Sequence, residues 1–358
     1  MAGLSRVLVV NAGSSTLKLR LLGEGDEVEA AHDVDPWAGD ADPSALEPFA
    51  AAMARADAVG HRVVHGGPDL RDAVVIDAGV VAQIEALISL APLHQPRSLA
   101  ALRAVLAALP DVPAVACFDT AFHATLPLAA ATYALPADWR RRWALRRFGF
   151  HGLSHQYAVR RAAELLGGPP RRLVTCHLGA GASLCAVLDG RSVDTTMGFT
   201  PLEGLVMNTR SGSVDPGLVL WLVTEAGLAP AEVAEGLERR SGLAGLSGTS
   251  GDLREVGVAG VAFDVYIHRL RREIAAMAAA LDGLDALVFT GGVGEHQPPV
   301  RAAVGAGLGF LGVAVDADNN AATVGDGDIG RLGAGVRTLV VTSREDLEIG
   351  RQVRALLR

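Results

Sequence analysis

Three loops of small residues follow apolar runs, and each has the composition to hold an anion. Asn11-Ala12-Gly13-Ser14-Ser15-Thr16-Leu17-Lys18 comes directly after Val7 to Val10. Small residues let backbone N–H groups approach an anion closely, and hydroxyls add donors. Lys18 is the only lysine of the chain; every other Lys/Arg position is arginine. A compact point charge suits a terminal phosphate, and a plain hairpin with a surface lysine is the competing reading. The loop is not a Walker A loop: the glycine spacing differs and Leu17 precedes the lysine. His177-Leu178-Gly179-Ala180-Gly181-Ala182-Ser183 and Phe289-Thr290-Gly291-Gly292-Val293-Gly294-Glu295 are the other two. One glycine turn after a strand is common, but three at strand ends suggest a nucleotide crevice.

Charged and imidazole side chains gather in four further stretches. Gly60-His61-Arg62-Val63-Val64-His65-Gly66-Gly67 sets an arginine and two histidines between glycines, and a strand end with surface polar groups would look the same. Asp119 follows an apolar run in Cys117-Phe118-Asp119-Thr120-Ala121-Phe122-His123. A carboxylate there must be paired, solvated or bound to a cation, or must cap a helix. Phe150-His151-Gly152-Leu153-Ser154-His155 has histidines four apart, but Gly152 stands where a zinc protease needs glutamate. The stretch from Val193 to Pro216, which contains Arg210, has little periodicity and many Gly, Thr and Ser. A long irregular segment in a periodic chain is a functional loop or a disordered one, and its embedded apolar residues favour the first.

The elements that must position these residues read as α/β. Val7 to Val10 and Leu17 to Leu22 flank the first loop as strands, and Leu173 to Leu178 and Leu184 to Leu188 repeat that grammar around the second. Two such copies suggest two related domains. Val80 to Leu90, Arg97 to Ala108, Ile267 to Leu281 and Leu347 to Leu357 carry helical spacing. Ala286 to Thr290 is continuously apolar, as a buried parallel strand is. Two prolines place the boundary between domains near Thr125 to Pro136.

The chain has 358 residues, enough for two domains, and is 50% hydrophobic and 20% charged. That supports a large core and excludes general disorder. A net charge of −8 gives no footprint for nucleic acid. The arginines at 140, 141, 142, 146 and 147 read either as a solvated helix face or as a basic approach to an anion pocket. Cys117, Cys176 and Cys185 form no C-x-x-C pair and read as small core residues. The first apolar run is too short for a signal peptide, and no run of about 20 apolar residues predicts a membrane helix. A cytoplasmic location is the expectation.

Taken together, the loop at Asn11, His61 to Gly67, Leu90-Ala91-Pro92-Leu93-His94, Phe118 to His123, Gly149 to His155, His177 to Ser183, Val193 to Pro216 and Thr290 to Glu295 resemble the acetate kinase family. That family of short-chain carboxylate kinases belongs with sugar kinases, heat-shock chaperones and actin. The resemblance runs from Val7 to about Gly350. It implies two ribonuclease-H-like α/β domains with an active-site cleft between them. The N-terminal domain would comprise residues 1–124 plus 346–358, and the C-terminal domain, with the nucleotide site, residues 125–345.

It also implies roles, residue by residue. Arg62 and Arg210 would flank the transferring phosphoryl group and the substrate carboxylate. Asp119 would organise metal and phosphoryl group, and His151 would hydrogen-bond the phosphoryl oxygens. Asn11 and Glu345 match positions associated with Mg²⁺, for which Mn²⁺ is an alternative. Lys18, His177, Leu178, Gly179, Ala180, Gly181, Asp252, Leu253, Arg254, Gly292, Val293, Gly294, Glu295 and His296 match segments that contact ATP or ADP. Val64, Leu93, Phe150 and Pro201 match the apolar pocket for the acid. A homodimer is implied as well, with no membrane or nucleic-acid partner.

The residue types agree with that chemistry. A carboxylic acid with a pKa near ~4.3 is already ionised at neutral pH, so no base is needed to make the nucleophile. The difficulty is bringing an anion up to a polyanion, and arginines, histidine and Mg²⁺ answer it by position and charge. Three positions depart from the family pattern. Ala180 and His296 stand where asparagine is usual, and Asn208 stands where glycine is usual. The first two leave ATP, another nucleotide and pyrophosphate to be distinguished as donor. Acetate, propionate and butyrate remain as acceptors, with Val64 favouring the smallest. The rival class is a nucleotide-gated binding protein, which would not need Arg62, Asp119, His151 and Arg210 together. No Gly-x-Ser-x-Gly elbow supports a serine hydrolase.

Overall fold

A computed structural model describes residues 4–13, 16–37, 39 and 43–358. Ser14 and Ser15 of the first anion loop lie outside them. The chain divides into two compact units. Unit 1 comprises Met1–Ala124, Phe150–Tyr157 and Arg344–Arg358, and unit 2 comprises Thr125–Gly149 and Ala158–Ser343.

Unit 1 is built on a six-stranded sheet. Its strands are β1 (Val7–Ala12), β2 (Leu17–Leu22), β3 (Val28–Val34), β4 (Ala58–Val63), β5 (Val74–Val75) and β6 (Ala114–Phe118). Their order is β3-β2-β1-β4-β6-β5. β1 runs antiparallel to β2 and parallel to β4, and β4 runs parallel to β6. Strands buried on both faces must be apolar throughout, which is why Val7 to Val10 and Ala114 to Phe118 read as unbroken runs. Alternate β1 side chains serve opposite faces. Leu8, Val10 and Ala12 pack with Ala101, Ala104 and Val105 of the helix Gln95–Ala108. Val7 and Val9 pack with Ile349 and Val353 of the closing helix Glu345–Leu357. Gly60 permits that second contact, since a Cβ there would lie 2.4 Å from the Ile349 Cγ2 and 2.7 Å from the Val353 Cγ2.

Unit 2 carries β7 (Arg172–Leu178), β8 (Ala182–Leu188), β9 (Arg191–Thr195), β10 (Ala286–Thr290), β11 (Gly327–Asp328) and β12 (Arg337–Val340). Their order is β11-β12-β10-β7-β8-β9. β7 runs antiparallel to β8 and parallel to β10, and β10 runs parallel to β12. Counted within each unit, the strand order is the same in both. The two strand–loop–strand copies seen in the sequence are thus the opening hairpins of two topologically identical α/β units, the ribonuclease-H-like architecture that the resemblance implies. The helix Val261–Ala280 buries Phe263, Ile267, Leu270, Ile274 and Met277, a stripe at helical spacing.

Several boundaries differ from the sequence reading for physical reasons. β1 runs on through Asn11 and Ala12, because both pair with Lys18 and Leu17 of β2. The helix Gln95–Ala108 starts two residues early, with Pro96 in its first turn, where proline lacks no needed donor. The helix expected over Val80 to Leu90 is an α-helix Ala78–Ala86 followed by a 3₁₀ turn Ile88–Leu90. Asp77 caps it by accepting from the Val80 N–H at 2.8 Å. The segment Phe150–Tyr157, together with Arg344 and Glu345, groups with unit 1 rather than with the stretch 125–345. Leu153 is buried in the unit 1 core, and the Phe150 ring meets His65 edge-on at 5.4 Å.

Candidate active site

In unit 1 the parallel strands β1, β4 and β6 end side by side, and their last residues form one polar relay. Asp119, directly after β6, is only 1% exposed. It is not a helix cap. The Arg62 guanidinium meets it as a fork, with Nη2 donating to Oδ2 at 2.7 Å and Nε donating at 3.1 and 3.2 Å. Arg62 Nη1 donates to the Asn11 Oδ1 at 3.2 Å, and Asn11 Nδ2 donates to the Glu345 Oε2 at 2.8 Å. Residues from three strand ends and a helix start, far apart in the chain, thus stand in one line. Lys18 is the cross-strand partner of Asn11 and is exposed. Open α/β sheets bind ligands at the carboxyl ends of their parallel strands.

The electrostatics are set by burial. Burial pushes the Asp119 carboxyl above the usual carboxylate range; Arg62 opposes that shift and Glu345 adds to it. Burial alone would lower the Arg62 guanidinium, but the charges of Asp119 and Glu345 outweigh it and keep it fully protonated. Together these groups form a half-buried cation in contact with Asp119 and under the field of Glu345, which it reaches through Asn11.

His151 sits beside this relay through the backbone of its neighbour. The Gly152 N–H donates to the Asp119 carbonyl at 2.9 Å, and a Cβ at Gly152 would lie 2.2 Å from that oxygen. His151 itself has φ +56°, the left-handed region that costs a non-glycine residue energy and that gathers at functional sites. His123 Nε2 lies 3.0 Å from the Phe150 carbonyl, which fixes the preceding residue. Val64 and Phe150 are buried, while Leu93 is 40% exposed. Buried Gln95 ties down the strand end beyond Val64, accepting from the His65 N–H at 3.2 Å and donating to its carbonyl at 2.9 Å. Gln95 and His123 are positioning residues that the sequence reading missed. Only their burial distinguishes them, and burial is not visible in single residues.

In unit 2 the turn between β7 and β8 is closed by the Gly179 N–H donating to the Gly181 carbonyl at 2.9 Å. The turn after β10 lies against it: Gly291 has φ +78°, and a Cβ there would be 2.7 Å from the Leu178 oxygen. Ala180, Gly292 and His296 are exposed, and a Cβ at Gly292 would meet nothing within 4 Å. Arg301, fully buried, holds the second turn by donating to the carbonyls of Gly294 and Glu295 at 2.9 and 2.7 Å. Glu295 accepts from the Ser343 N–H at 2.9 Å. Asp252 caps the turn Leu253–Val256 and is forked by Arg254, whose hydrogen bonds hold the carboxyl down at about 2.

Arg210 is half-buried in the irregular segment. Its Nη1 donates to the Pro201 carbonyl at 3.3 Å, and its Nε stands 3.4 Å from Glu238. Burial lowers the guanidinium and Glu238 raises it, with burial the stronger. The segment is anchored through its backbone. The carbonyls of Met207 and Asn208 accept from the N–H groups of Leu243 and Ala244, at 2.9 and 2.8 Å. Two of the three departures from the family pattern touch: the Asn208 N–H donates to the Ala180 carbonyl at 3.2 Å. Of the clustered arginines, Arg141 and Arg142 are exposed on the helix Ala137–Trp143, whereas Arg147 is half-buried.

The chain matches the Acetokinase family over residues 45–351. It is 48% identical over 310 residues to the acetate kinase of Synechococcus sp. (strain JA-2-3B'a(2-13)), covering 84% of this chain and 76% of that one. The crystal structure of Porphyromonas gingivalis acetate kinase matches with a TM-score of 0.90 at 35% identity, covering 99% of this chain and 100% of that one. A propionate kinase from Francisella tularensis subsp. tularensis SCHU S4 matches with a TM-score of 0.89 at 32% identity, covering 98% and 99%. Fold, strand-end chemistry and likeness define a kinase whose acceptor is a carboxylate. The chain belongs to the acetokinase family.

The unit 1 relay and its buried histidines each make a measurable prediction. Arg62→Met leaves Asp119 buried without its cation and should cost about 3–5 kcal/mol of stability. Arg62→Met with Asp119→Leu should recover most of it. Denaturant midpoints decide, and a single variant within about 1 kcal/mol of the parent would refute the pairing as a stability element. Separately, burial pushes His61 down to about 3 and His65 down to about 4. Both stay neutral when folded but take up protons near pH ~6.5 when unfolded. Their stabilisation is present above that pH and is lost as pH falls toward 4, at about 1.4 kcal/mol per pH unit for each histidine. Urea unfolding between pH 6.5 and 4.5 should show that slope, about half as steep in His61→Leu. A slope unchanged by His61→Leu contradicts the assignment.

Proposed function

We propose that the chain reversibly transfers the γ-phosphoryl group of ATP to acetate, giving acetyl phosphate and ADP by direct in-line attack. The observation that carries this reading is the Asp119–Arg62–Asn11–Glu345 relay, a half-buried arginine forked on one carboxylate and linked through Asn11 to a second, at parallel strand ends and a helix start. An acetate oxygen forms the new bond to phosphorus as the bond to the bridging oxygen breaks, and ADP leaves with that electron pair. No proton moves, so the work is neutralisation and alignment. In this reading Arg62 and Arg210 take the charge of the acid and the transferring group. His151, fixed between Phe150 and Gly152, donates to the phosphoryl oxygens. Val64, Leu93, Phe150 and Pro201 receive the methyl group.

Asn11, Asp119 and Glu345 offer hard oxygen donors, and Mg²⁺ is usually held by one or two carboxylates plus substrate phosphates. The residues therefore fit Mg²⁺, or Mn²⁺ in its place, with Asn11 and Glu345 as the holders. When bound, the ion would offset the charge of the nucleotide phosphates. Lys18, the turn His177 to Gly181, the segment Asp252 to Arg254 and the turn Gly292 to His296 hold the nucleotide in this reading. The exposed Ala180 and His296 keep pyrophosphate as the donor to test against. Likeness to a propionate kinase keeps propionate as the acceptor to test against.

A homodimer belongs to the same proposal. The helix Pro216–Thr224 is apolar along nearly its whole length, yet none of its residues is buried; Leu220 is 65% and Trp221 54% exposed. A helix apolar on every side is normally covered. The three cysteines are buried free thiols, which suits a reducing cytoplasm. No helix among the described residues is long and apolar enough to cross a membrane.

A hydroxamate assay with Mg²⁺-ATP should give product with acetate, with less from propionate and butyrate. Arg210→Ala should lower turnover by on the order of 10³-fold. Signal from pyrophosphate alone would reassign the donor, and near-normal turnover of Arg210→Ala would remove that arginine from the mechanism. Equilibrium sedimentation should report two chains for the parent and one for Leu220→Glu; a parent that is monomeric at micromolar concentration contradicts the dimer.

A further inference from the structure

The segment that carries Pro201 and Arg210 has almost no regular structure, so something else must fix it. Arg147 does much of this. Its Nη1 donates to three consecutive carbonyls, those of Thr195, Thr196 and Met197, at 3.1, 3.1 and 3.0 Å. Its Nη2 donates to the Glu203 Oε1 at 2.6 Å. The other Glu203 oxygen accepts from the Tyr133 hydroxyl at 2.5 Å, and that hydroxyl accepts in turn from the Phe199 N–H at 2.8 Å. The Arg147 guanidinium also lies over the Tyr133 ring, 5.6 Å from its centroid. Both ends of the short turn from Gly198 to Glu203 are therefore gripped by one charged cluster, and Pro201 stands between them. The Arg210 guanidinium hangs from the Pro201 carbonyl. Gly198 lies directly under the cluster: a Cβ there would fall 1.7 Å from the Glu203 Oε2 and 2.1 Å from the Tyr133 oxygen.

We propose that Arg147, Glu203 and Tyr133 are positioning residues that set the Arg210 guanidinium for phosphoryl transfer through the Pro201 carbonyl. The inference rests on the role given to Arg210 under the proposed function. The physical case is that each contact is one only this side-chain type makes. A guanidinium spreads its donors over separate nitrogens in a fixed plane, so Nη1 can face the carbonyls while Nη2 holds the carboxylate; a single ammonium nitrogen cannot reproduce that spacing. The Tyr133 hydroxyl acts as donor and acceptor together, which phenylalanine cannot copy. Burial, and next the Glu203 carboxylate, push the Tyr133 hydroxyl up, so it keeps its proton and its donor role. None of these groups need touch a substrate. They act by removing the freedom of a turn, and a misplacement of about 1 Å in a transfer site can cost on the order of 10²-fold in rate.

The test is a double-mutant cycle in kcat, read in single turnover. Tyr133→Phe and Glu203→Gln should each lower kcat about 10–100-fold in the parent, with the nucleotide KM changed by less than about twofold. In an Arg210→Ala background the same substitutions should cost less than about twofold, because the group they position is gone. Arg147→Lys should behave like the other clamp variants. Circular dichroism and melting of Tyr133→Phe, which removes one oxygen, show whether the fold is kept. Equal costs in both backgrounds would overturn the proposal, as would parent-like kcat in Tyr133→Phe and Glu203→Gln, or full activity in Arg147→Lys. Arg210→Ala with undiminished turnover would instead overturn the role of Arg210, and that is read before any clamp variant is made.

Discussion

A carboxylate that is 1% exposed cannot stay ionised without a cation in contact, and the forked Arg62–Asp119 pair is the interaction on which the active end of unit 1 depends. Removing two charges from water costs several kcal/mol each, and the fork offsets this only because both strand ends are rigid. The Asp119 N–H donates to the Val63 carbonyl at 3.0 Å, so the pair is built onto the ladder between β4 and β6. Arg62 then extends the order to Asn11 on β1 and, through it, to Glu345 at the start of the closing helix. Four polar side chains, Asp119, Arg62, Asn11 and Glu345, are thus held by the ends of three strands and one helix start.

The closing helix reaches this sheet because two glycines give it and its neighbour room. Gly60 lets Ile349 and Val353 press onto β4, one residue before His61 and two before Arg62. Gly152 lets the backbone of the next helix touch the Asp119 carbonyl, and the adjacent His151 has a left-handed φ. Close packing and a strained backbone therefore stand side by side here. Cβ atoms are excluded where backbone must approach backbone, and the side chain next to the exclusion is pinned.

Unit 2 solves the opposite problem. Arg210 lies on a stretch with no ladder to hold it, and the structure substitutes buried polar contacts for secondary structure. Arg147 and Arg301 act alike: each is a half-buried or buried guanidinium spent on backbone carbonyls, one near Pro201 and one on the turn after β10. Planar donors in a fork suit carbonyls that point in several directions at once. The same strand order serves both units, so the difference between them lies in the loops and irregular segments that leave the strand ends.

The sequence by itself determined the α/β class and the two like domains, and its family resemblance named the candidate site residues. Apolar runs such as Val7 to Val10 and Ala286 to Thr290 suit the interior of a sheet, and three glycine turns at strand ends together pointed to a crevice. Asn11, Arg62, Asp119 and Glu345 were each named through family resemblance, Asn11 and Glu345 at metal positions and Arg62 and Asp119 at the phosphoryl group. The tertiary structure decided which of them touch: Asp119 pairs with Arg62 instead of capping a helix, and Asn11 bridges to Glu345 across 334 positions of chain. It also decided that Phe150 to Tyr157 belongs with unit 1, and that Gln95, His123, Arg147, Glu203 and Arg301 are spent on holding backbone turns and strand ends. These side chains leave no signal in a single sequence, because a buried arginine and a surface arginine are the same letter. Only the folded chain fixes how much water each one has lost and which partners replace it.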